Sequence, residues 1–253
     1  MIRGLYAAYT GLEAAWRYQE ALADNIANAT TVGFKRQVGA LASFEDVLLA
    51  QQEPVPAPLP ARIQQIVGQI GTGTFVAELT TDLAIGPFQQ TGEELDLALE
   101  RGFFAVEGPD GTRYYTKAGH FQRDGEGRLV TPHGYFVLGA DGLPLTLPPT
   151  RVAVEPDGRI VADGNEVGRL LLLEFPPEAL TRAGPAYFTA DGEGIPVDSG
   201  LRQGYLELSN TQLTEELTTL LAVHRAYQAN QRILATLDTT LERAAGELGR
   251  LGG

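Results

Sequence analysis

Three histidines and a few acidic clusters are the side chains to weigh first for catalysis or metal binding in this 253-residue chain. His120 and His133 lie thirteen positions apart with Asp124 between them, while His224 stands alone far downstream. Zinc sites use tighter ligand spacing than this, so turn or partly buried histidines are expected. No cysteine is present, which excludes disulfides, thiolate metal sites and thiol nucleophiles. Asp124-Gly125-Glu126-Gly127 lacks the alternating oxygen ligands and distal glutamate of a calcium loop and reads as a tight turn. Gly68, Gly71 and Gly73 lack both the phosphate-loop lysine and the dinucleotide spacing. Glu93, Glu94, Asp96 and Glu100 could suggest a glycosidase pair. Alternation against Leu95, Leu97 and Leu99 predicts instead that Glu94, Asp96 and Glu100 face solvent. Nor is there a nucleophile elbow. The expectation is a protein that is not an enzyme, with no catalytic, cofactor-binding or metal-binding residues and no cofactor.

Charge narrows the partners. A net charge of −13 argues against a nucleic-acid surface, which needs clustered bases. No run approaches 18 apolar residues, so no membrane insertion is expected. Tyr6, Glu13, Arg17 and Gln19 interrupt the N-terminal apolar pattern, so no secretory signal is expected either.

The elements that must position any functional residue divide sharply by region. Residues 37–204 hold all 15 prolines, 23 of the 30 glycines and 23 acids against 11 bases. Proline and glycine oppose helix, so the two ends are free to be long helices and the middle is not. At the N-terminal end, Leu5, Ala8, Leu12, Ala15, Gln19, Leu22 and Ile26 recur at spacings of three and four, the seam of a heptad helix. Tyr9 and Trp16 widen it. The helix should stop near Asn28, and Gly33 can accept a positive φ in the turn that follows. At the C-terminal end, Leu213, Leu217, Leu220, His224, Tyr227, Gln231, Leu234, Leu237, Leu241, Ala245 and Leu248 trace a second stripe, broadened by Leu221 and Ile233. Ser209 and Gln212 have capping-box spacing, and a helix is expected over roughly 212–245.

The middle reads as short strands between recurrent Asp-Gly turns, among them Asp110-Gly111, Asp141-Gly142, Asp157-Gly158 and Asp163-Gly164. Candidate strands include 151–155, 159–162 and 168–175, with no βαβ crossover. The resulting fold class is α+β: N- and C-terminal helices pairing as a coiled-coil core, with an irregular all-β middle domain. The divisions are 1–36 for the N-terminal helix and signature turn, 37–80 for a connector, 81–203 for the β domain and 204–253 for the C-terminal helix. Glu53-Pro54-Val55-Pro56-Ala57-Pro58-Leu59-Pro60 favours an extended spacer within the connector. Two helices bury one face each, so Tyr6, Tyr9, Trp16, Leu221 and Ile233 point to further chains.

Several ordered motifs carry a resemblance. Asn25-Ile26-Ala27-Asn28-Ala29-Thr30-Thr31-Val32-Gly33-Phe34-Lys35-Arg36 is similar to the N-terminal signature of the axial proteins of the bacterial flagellum, the rod and hook basal-body family. Ile26 stands for the usual leucine and Val32 for the usual Pro or Asn. Gly204-Tyr205-Leu206-Glu207-Leu208-Ser209-Asn210, with Glu215-Glu216-Leu217 and Arg225-Ala226-Tyr227-Gln228-Ala229-Asn230, resembles the C-terminal signature. Asp96 through Phe104 is similar to the family's Gly-x-Gly-Phe-Phe region, with Glu100 replacing the first glycine, and Tyr115 through Phe121 follows the family closely. Residues 44–49 resemble the distal-rod type more than the proximal-rod type.

The resemblance implies a structural axial subunit of the flagellar rod. Its partners would be copies of itself, neighbouring rod and hook subunits, and the flagellar export apparatus, which would deliver it to the rod crossing the periplasm. The assembly and packing residues implied are Leu5, Leu12, Leu22, Ile26, Asn28, Gly33, Phe34, Leu213, Leu217, Leu220, Tyr227, Leu234 and Leu241. Two other readings stay open: a β-rich adaptor dimerised by its terminal coiled coil, and an envelope hydrolase. Concentration-dependent sedimentation separates the first, and a carboxylate-lined pocket with activity would mark the second.

Overall fold

The computed structural model describes residues 2–43, 74–198 and 200–251. Residues 44–49, the proline-rich stretch at 53–60 and the glycines at 68, 71 and 73 lie outside the described residues. The chain divides into two compact units. One comprises Met1–Asp24, Gln37–Thr80 and Thr214–Gly253, and the other Asn25–Arg36 and Thr81–Leu213.

The first unit is built on the two long helices, α1 (Ile2–Ala27) and α2 (Leu213–Leu251). They pair antiparallel: Gly4 faces Leu237, and Gly11 faces Asn230 one heptad earlier. On α1, Ala8, Ala15 and Leu22 are buried and Leu12, Gln19 and Ile26 half-buried, which follows the predicted seam except at Leu5, which is exposed. On α2 the half-buried seam is Leu220, Val223, Tyr227, Asn230, Leu234, Leu237 and Leu241. Four positions differ from the expected stripe: Leu213 and Leu217 in its first turns are exposed, and so are two further along. His224 and Gln231 are exposed, and Val223 and Asn230 take their places. Gly11 leaves room for the Asn230 side chain, so the seam tolerates an amide there. α2 starts close to the expected position and runs to Leu251, beyond the expected end. Ser209 does not form the capping box; its Oγ accepts the Thr211 amide at 3.1 Å, two residues on. Strands Gln37–Ser43 and Thr74–Thr81 pair with each other, and Gly39 lies against the Tyr18 ring of α1.

The second unit is antiparallel β structure. Its largest sheet has Phe103–Glu107 at the centre, paired with Arg113–Thr116, Phe136–Val137 and Leu172–Glu174. A three-stranded sheet joins Val152–Val154, Arg159–Ala162 and Asn165–Arg169. The expected strand at 168–175 is therefore two: its start ends one sheet and Leu172–Glu174 joins another. The aspartates of the turns are fastened to their own backbones, with Asp110, Asp124, Asp141 and Asp157 each accepting the amide two residues on.

Phe103, Phe104, Ala105 and Val106 are all buried, because the central strand has a core on each face. Phe104 and Val106 join Leu97, Leu99, Phe121, Val137 and Ile160, while Phe103 and Ala105 join Leu138, Phe175 and Phe188. The expected alternation at 94–100 is overturned as well. Asp96, Leu97, Ala98 and Leu99 are buried in succession, and Asp96 is not on a solvent face. Its carboxylate accepts from His120 Nδ1 at 2.6 Å and its carbonyl from the Gly204 amide at 2.8 Å. Glu94 is likewise engaged, accepting the Val152 amide at 2.6 Å and Arg123 at 3.1 Å.

Candidate functional site

A dense polar cluster lies where residues 31–36 meet residues 204–210, both within the second unit. α1 ends at Ala27, and Thr31 Oγ1 donates to Asn28 Oδ1 at 3.2 Å, holding the turn that follows. Gly33 takes a φ of 69° and donates its amide to the Glu207 carbonyl at 2.8 Å. Phe34 is fully buried beneath Arg182, whose guanidinium lies 5.0 Å from its ring centroid and 5.5 Å from that of Phe188. Arg182 also donates to the Lys35 carbonyl.

Lys35 is fully buried as well, and a buried ammonium survives only when its hydrogen bonds are met. Its Nζ lies 2.5 Å from Glu207 Oε1 and 2.6 Å from the Ala84 carbonyl. Glu207 Oε1 accepts the Gly86 amide too, at 2.9 Å. The opposite oxygen, Oε2, is 3.7 Å from Lys117 Nζ and has no hydrogen bond. Lys117 donates to the Leu99 carbonyl at 3.3 Å and sits 5.7 Å from the Phe103 ring centroid. Burial pulls its ammonium down to about 8, against the opposing attraction of Glu207.

Around this core the backbone is sewn together. Strand Tyr205–Glu207 pairs with Phe88–Gln90, and Arg202–Gln203 with Leu97–Ala98. The Asn210 amide works on both sides: its Oδ1 accepts the Arg36 amide at 2.8 Å, and its Nδ2 donates to the Asp82 carbonyl at 2.8 Å. Asp82 in turn takes Arg36 Nε at 3.1 Å and the Ala84 amide at 3.0 Å. The arrangement is a clasp that fixes the N-terminal signature to the C-terminal one.

The sequence-derived residues fall into three groups. Asn28, Gly33 and Phe34 belong to the clasp region of the second unit. Leu22 is buried, and Leu12, Ile26, Leu220, Tyr227, Leu234 and Leu241 are half-buried on their helices. Leu5, Leu213 and Leu217 are exposed. Sequence reasoning missed Glu207, Lys117 and Asn210 as members of one cluster, although 207 and 210 stand inside the quoted motif.

A cleft of about 620 Å³ flanks the same turn, lined by Asn28, Thr31 and Val32 together with His120, His133 and Tyr187. His133 Nδ1 and the Tyr187 hydroxyl are 3.2 Å apart, and Tyr187 O–H donates to Thr131 Oγ1 at 3.3 Å. The two histidines therefore share a cleft, but no group of three metal-binding side chains gathers among the described residues. Among those residues, too, no helix is long and apolar enough to cross a membrane.

Comparison with known proteins adds the family. Residues 5–35 match the flagella basal body rod protein family, 100–162 the flagellar hook protein FlgE/F/G D1 domain, and 202–247 the flagellar basal body rod FlgEFG protein C-terminal family. The chain is 34% identical to the flagellar basal-body rod protein FlgG of Agrobacterium fabrum, over 94% of this chain and 96% of that one. With FlgG of Bacillus subtilis it shares 30% identity over 96% of this chain and 97% of the other. The flagellar hook-basal body complex protein FlhO of Bacillus subtilis is 29% identical over 99% of this chain and the whole of its own. Lys35, Lys117, Glu207 and Asn210 of the clasp and most of both terminal helices lie in matched segments, and the chain belongs to the flagellar basal-body rod protein family.

Proposed function

We propose that this chain is a structural, non-enzymatic subunit of the flagellar rod, adding to copies of itself and to neighbouring rod and hook subunits through its terminal helices. In that place it transmits torque from motor to hook. The observation that carries the reading is the set of large apolar side chains left exposed on the helices: Tyr6, Tyr9 and Trp16 on α1, with Leu217, Leu221 and Ile233 on α2. Covering a Leu-sized side chain contributes roughly 1.5–3 kcal/mol before ordering costs, so several per contact suffice to drive addition. An open helical array needs such heterologous contacts, whereas a closed dimer does not. The similarity to FlgG proteins supports a place in the distal rod, reached through the flagellar export apparatus across the periplasm.

The test is complementation of a strain lacking the gene with Trp16→Ser combined with Leu221→Ser. Both side chains are half or more exposed, so the variant should fold and be secreted while rods fail to extend. Normal motility from that variant would overturn the reading. So would purified protein that forms a closed dimer and goes no further as concentration rises.

A further inference from the structure

The clasp holds two buried ammonium groups against one buried carboxylate, and the two cations are not equally served. Lys35 has a carboxylate at 2.5 Å and a carbonyl at 2.6 Å. Lys117 has a carbonyl at 3.3 Å, a ring face, and Glu207 Oε2 beyond hydrogen-bond reach at 3.7 Å. We propose that this cluster is a proton-operated latch on the joint between the two signature segments, loosened while Lys117 is charged and tightened when Lys117 gives up its proton.

The charged groups facing Lys117 come from three directions. Lys35 faces it from the signature turn and repels its charge. Glu207 faces it from strand Tyr205–Glu207 and attracts it. Glu174 attracts it from strand Leu172–Glu174, more weakly, and is itself held by Arg101 at 2.9 Å. The Leu99 carbonyl and Phe103 ring complete the surroundings without net charge. One positive charge is therefore in excess where water is excluded. Removing the Lys117 proton erases the excess and leaves the Lys35–Glu207 pair intact.

Geometry thus selects Lys117 as the group that yields, and its fall to about 8 from an ordinary 10.5, driven by desolvation, agrees. The sign follows from that fall. In the opened joint Lys117 regains its ordinary affinity for the proton, so between about pH 8 and 10.5 the open form binds more protons than the closed one. Raising the pH through that window favours closure, and below it the latch is at its loosest.

Hydrogen exchange in the full chain reads the joint directly, through the Gly33 amide on the Glu207 carbonyl and the Gly86 amide on its carboxylate. After correction for the intrinsic rate, the opening constant at both amides should fall about tenfold between pH 7 and pH 9 in the wild type. Lys117→Met should be tight and flat across that range, and Lys117→Arg, which keeps its charge, loose and flat. Equal opening of the wild type at both pH values would overturn the proposal, as would a tenfold fall that survives in Lys117→Met. Should the variants misfold, direct NMR titration of the wild-type Lys117 ammonium decides: a midpoint near 8 supports the latch, and one above 10 overturns it.

Discussion

Lys35 Nζ lies 2.5 Å from Glu207 Oε1, although 172 positions of chain separate the two residues and neither side chain is exposed. The contact ties the end of one family signature to the middle of the other. Because the pair is buried, its partners are not interchangeable with solvent. Removing Glu207 leaves two buried ammonium groups without their carboxylate, and removing Lys35 leaves Glu207 only the more distant Lys117 at 3.7 Å; either costs far more than an exposed ion pair contributes.

Lys35→Met is therefore expected to destabilise the second unit by roughly 3–5 kcal/mol. Lys35→Met together with Glu207→Leu should cost clearly less than the two single changes added, since the double variant buries neither member of the pair and leaves Lys117, which burial already inclines to lose its proton, as the one ionisable group of the three. Urea unfolding followed by near-ultraviolet circular dichroism of the Tyr135–Tyr187 stack, whose rings are 4.6 Å apart, measures both. Additive costs would show that the pair is not coupled.

Gly33 and Gly134 separate backbone conformation from crowding. Both have positive φ, 69° and 82°, but their surroundings differ. A Cβ at Gly33 would lie 2.3 Å from the Ala118 nitrogen and 2.5 Å from the Lys117 carbonyl carbon, whereas at Gly134 it would meet nothing within 4 Å. Gly134→Ala should cost roughly 1–2 kcal/mol, the ordinary penalty for a Cβ in the left-handed region. Gly33→Ala should cost roughly 3 kcal/mol or more, because backbone must part from backbone and the Gly33–Glu207 hydrogen bond goes with it. Thermal unfolding of the two variants gives the comparison.

Asp82 gives the clasp an acid limit. Partial desolvation pushes its pKa up, but the Ala84 amide and the Arg36 guanidinium prevail and hold its carboxyl below the ordinary 3.8. A carboxyl depressed in the folded state stabilises above its unfolded value, and that contribution drains away as pH falls through the folded value. Protection of the joint should decline below about pH 4 in the wild type. Asp82→Asn should be weaker at pH 7 and less sensitive to the same acidification, which amide exchange between pH 3 and pH 7 would register.

How far the sequence reached is instructive at particular residues. The terminal helices were legible because heptad spacing is local: Ala8, Ala15 and Leu22 needed only their neighbours to be recognised as an inner face. Turn aspartates were legible for the same reason, as each bonds its own chain two residues on. Lys35 was not. Its burial depends on Glu207 and Ala84 arriving from two distant parts of the chain. Asp96 misled through a sound rule: alternation holds when the second face meets water, and here that face is covered, with Asp96 buried against His120 and the Gly204 amide. At 223 and 224 a valine and a histidine offered equally regular heptads, and the choice rested on the opposite helix.

That choice gives the helices their most discriminating test. Leu234 lies half-buried on the seam of α2, while Leu217 is 44% exposed. Truncating Leu234 to Ala removes contact with α1 inside one chain and should lower the stability of the helix pair by roughly 2 kcal/mol, the low end of leucine-to-alanine losses because burial is partial. Truncating Leu217 should change the isolated chain by no more than about 0.5 kcal/mol, as exposed sites usually do. If Leu217 is covered only when another subunit adds, the order reverses in the assembled state: Leu217→Ala should impair rod incorporation despite a normally folded monomer. Urea unfolding of the purified variants and rod imaging in the complemented strain read the two halves separately. A Leu217→Ala chain that folds, enters rods and drives motility at wild-type levels would remove that residue from the assembly surface.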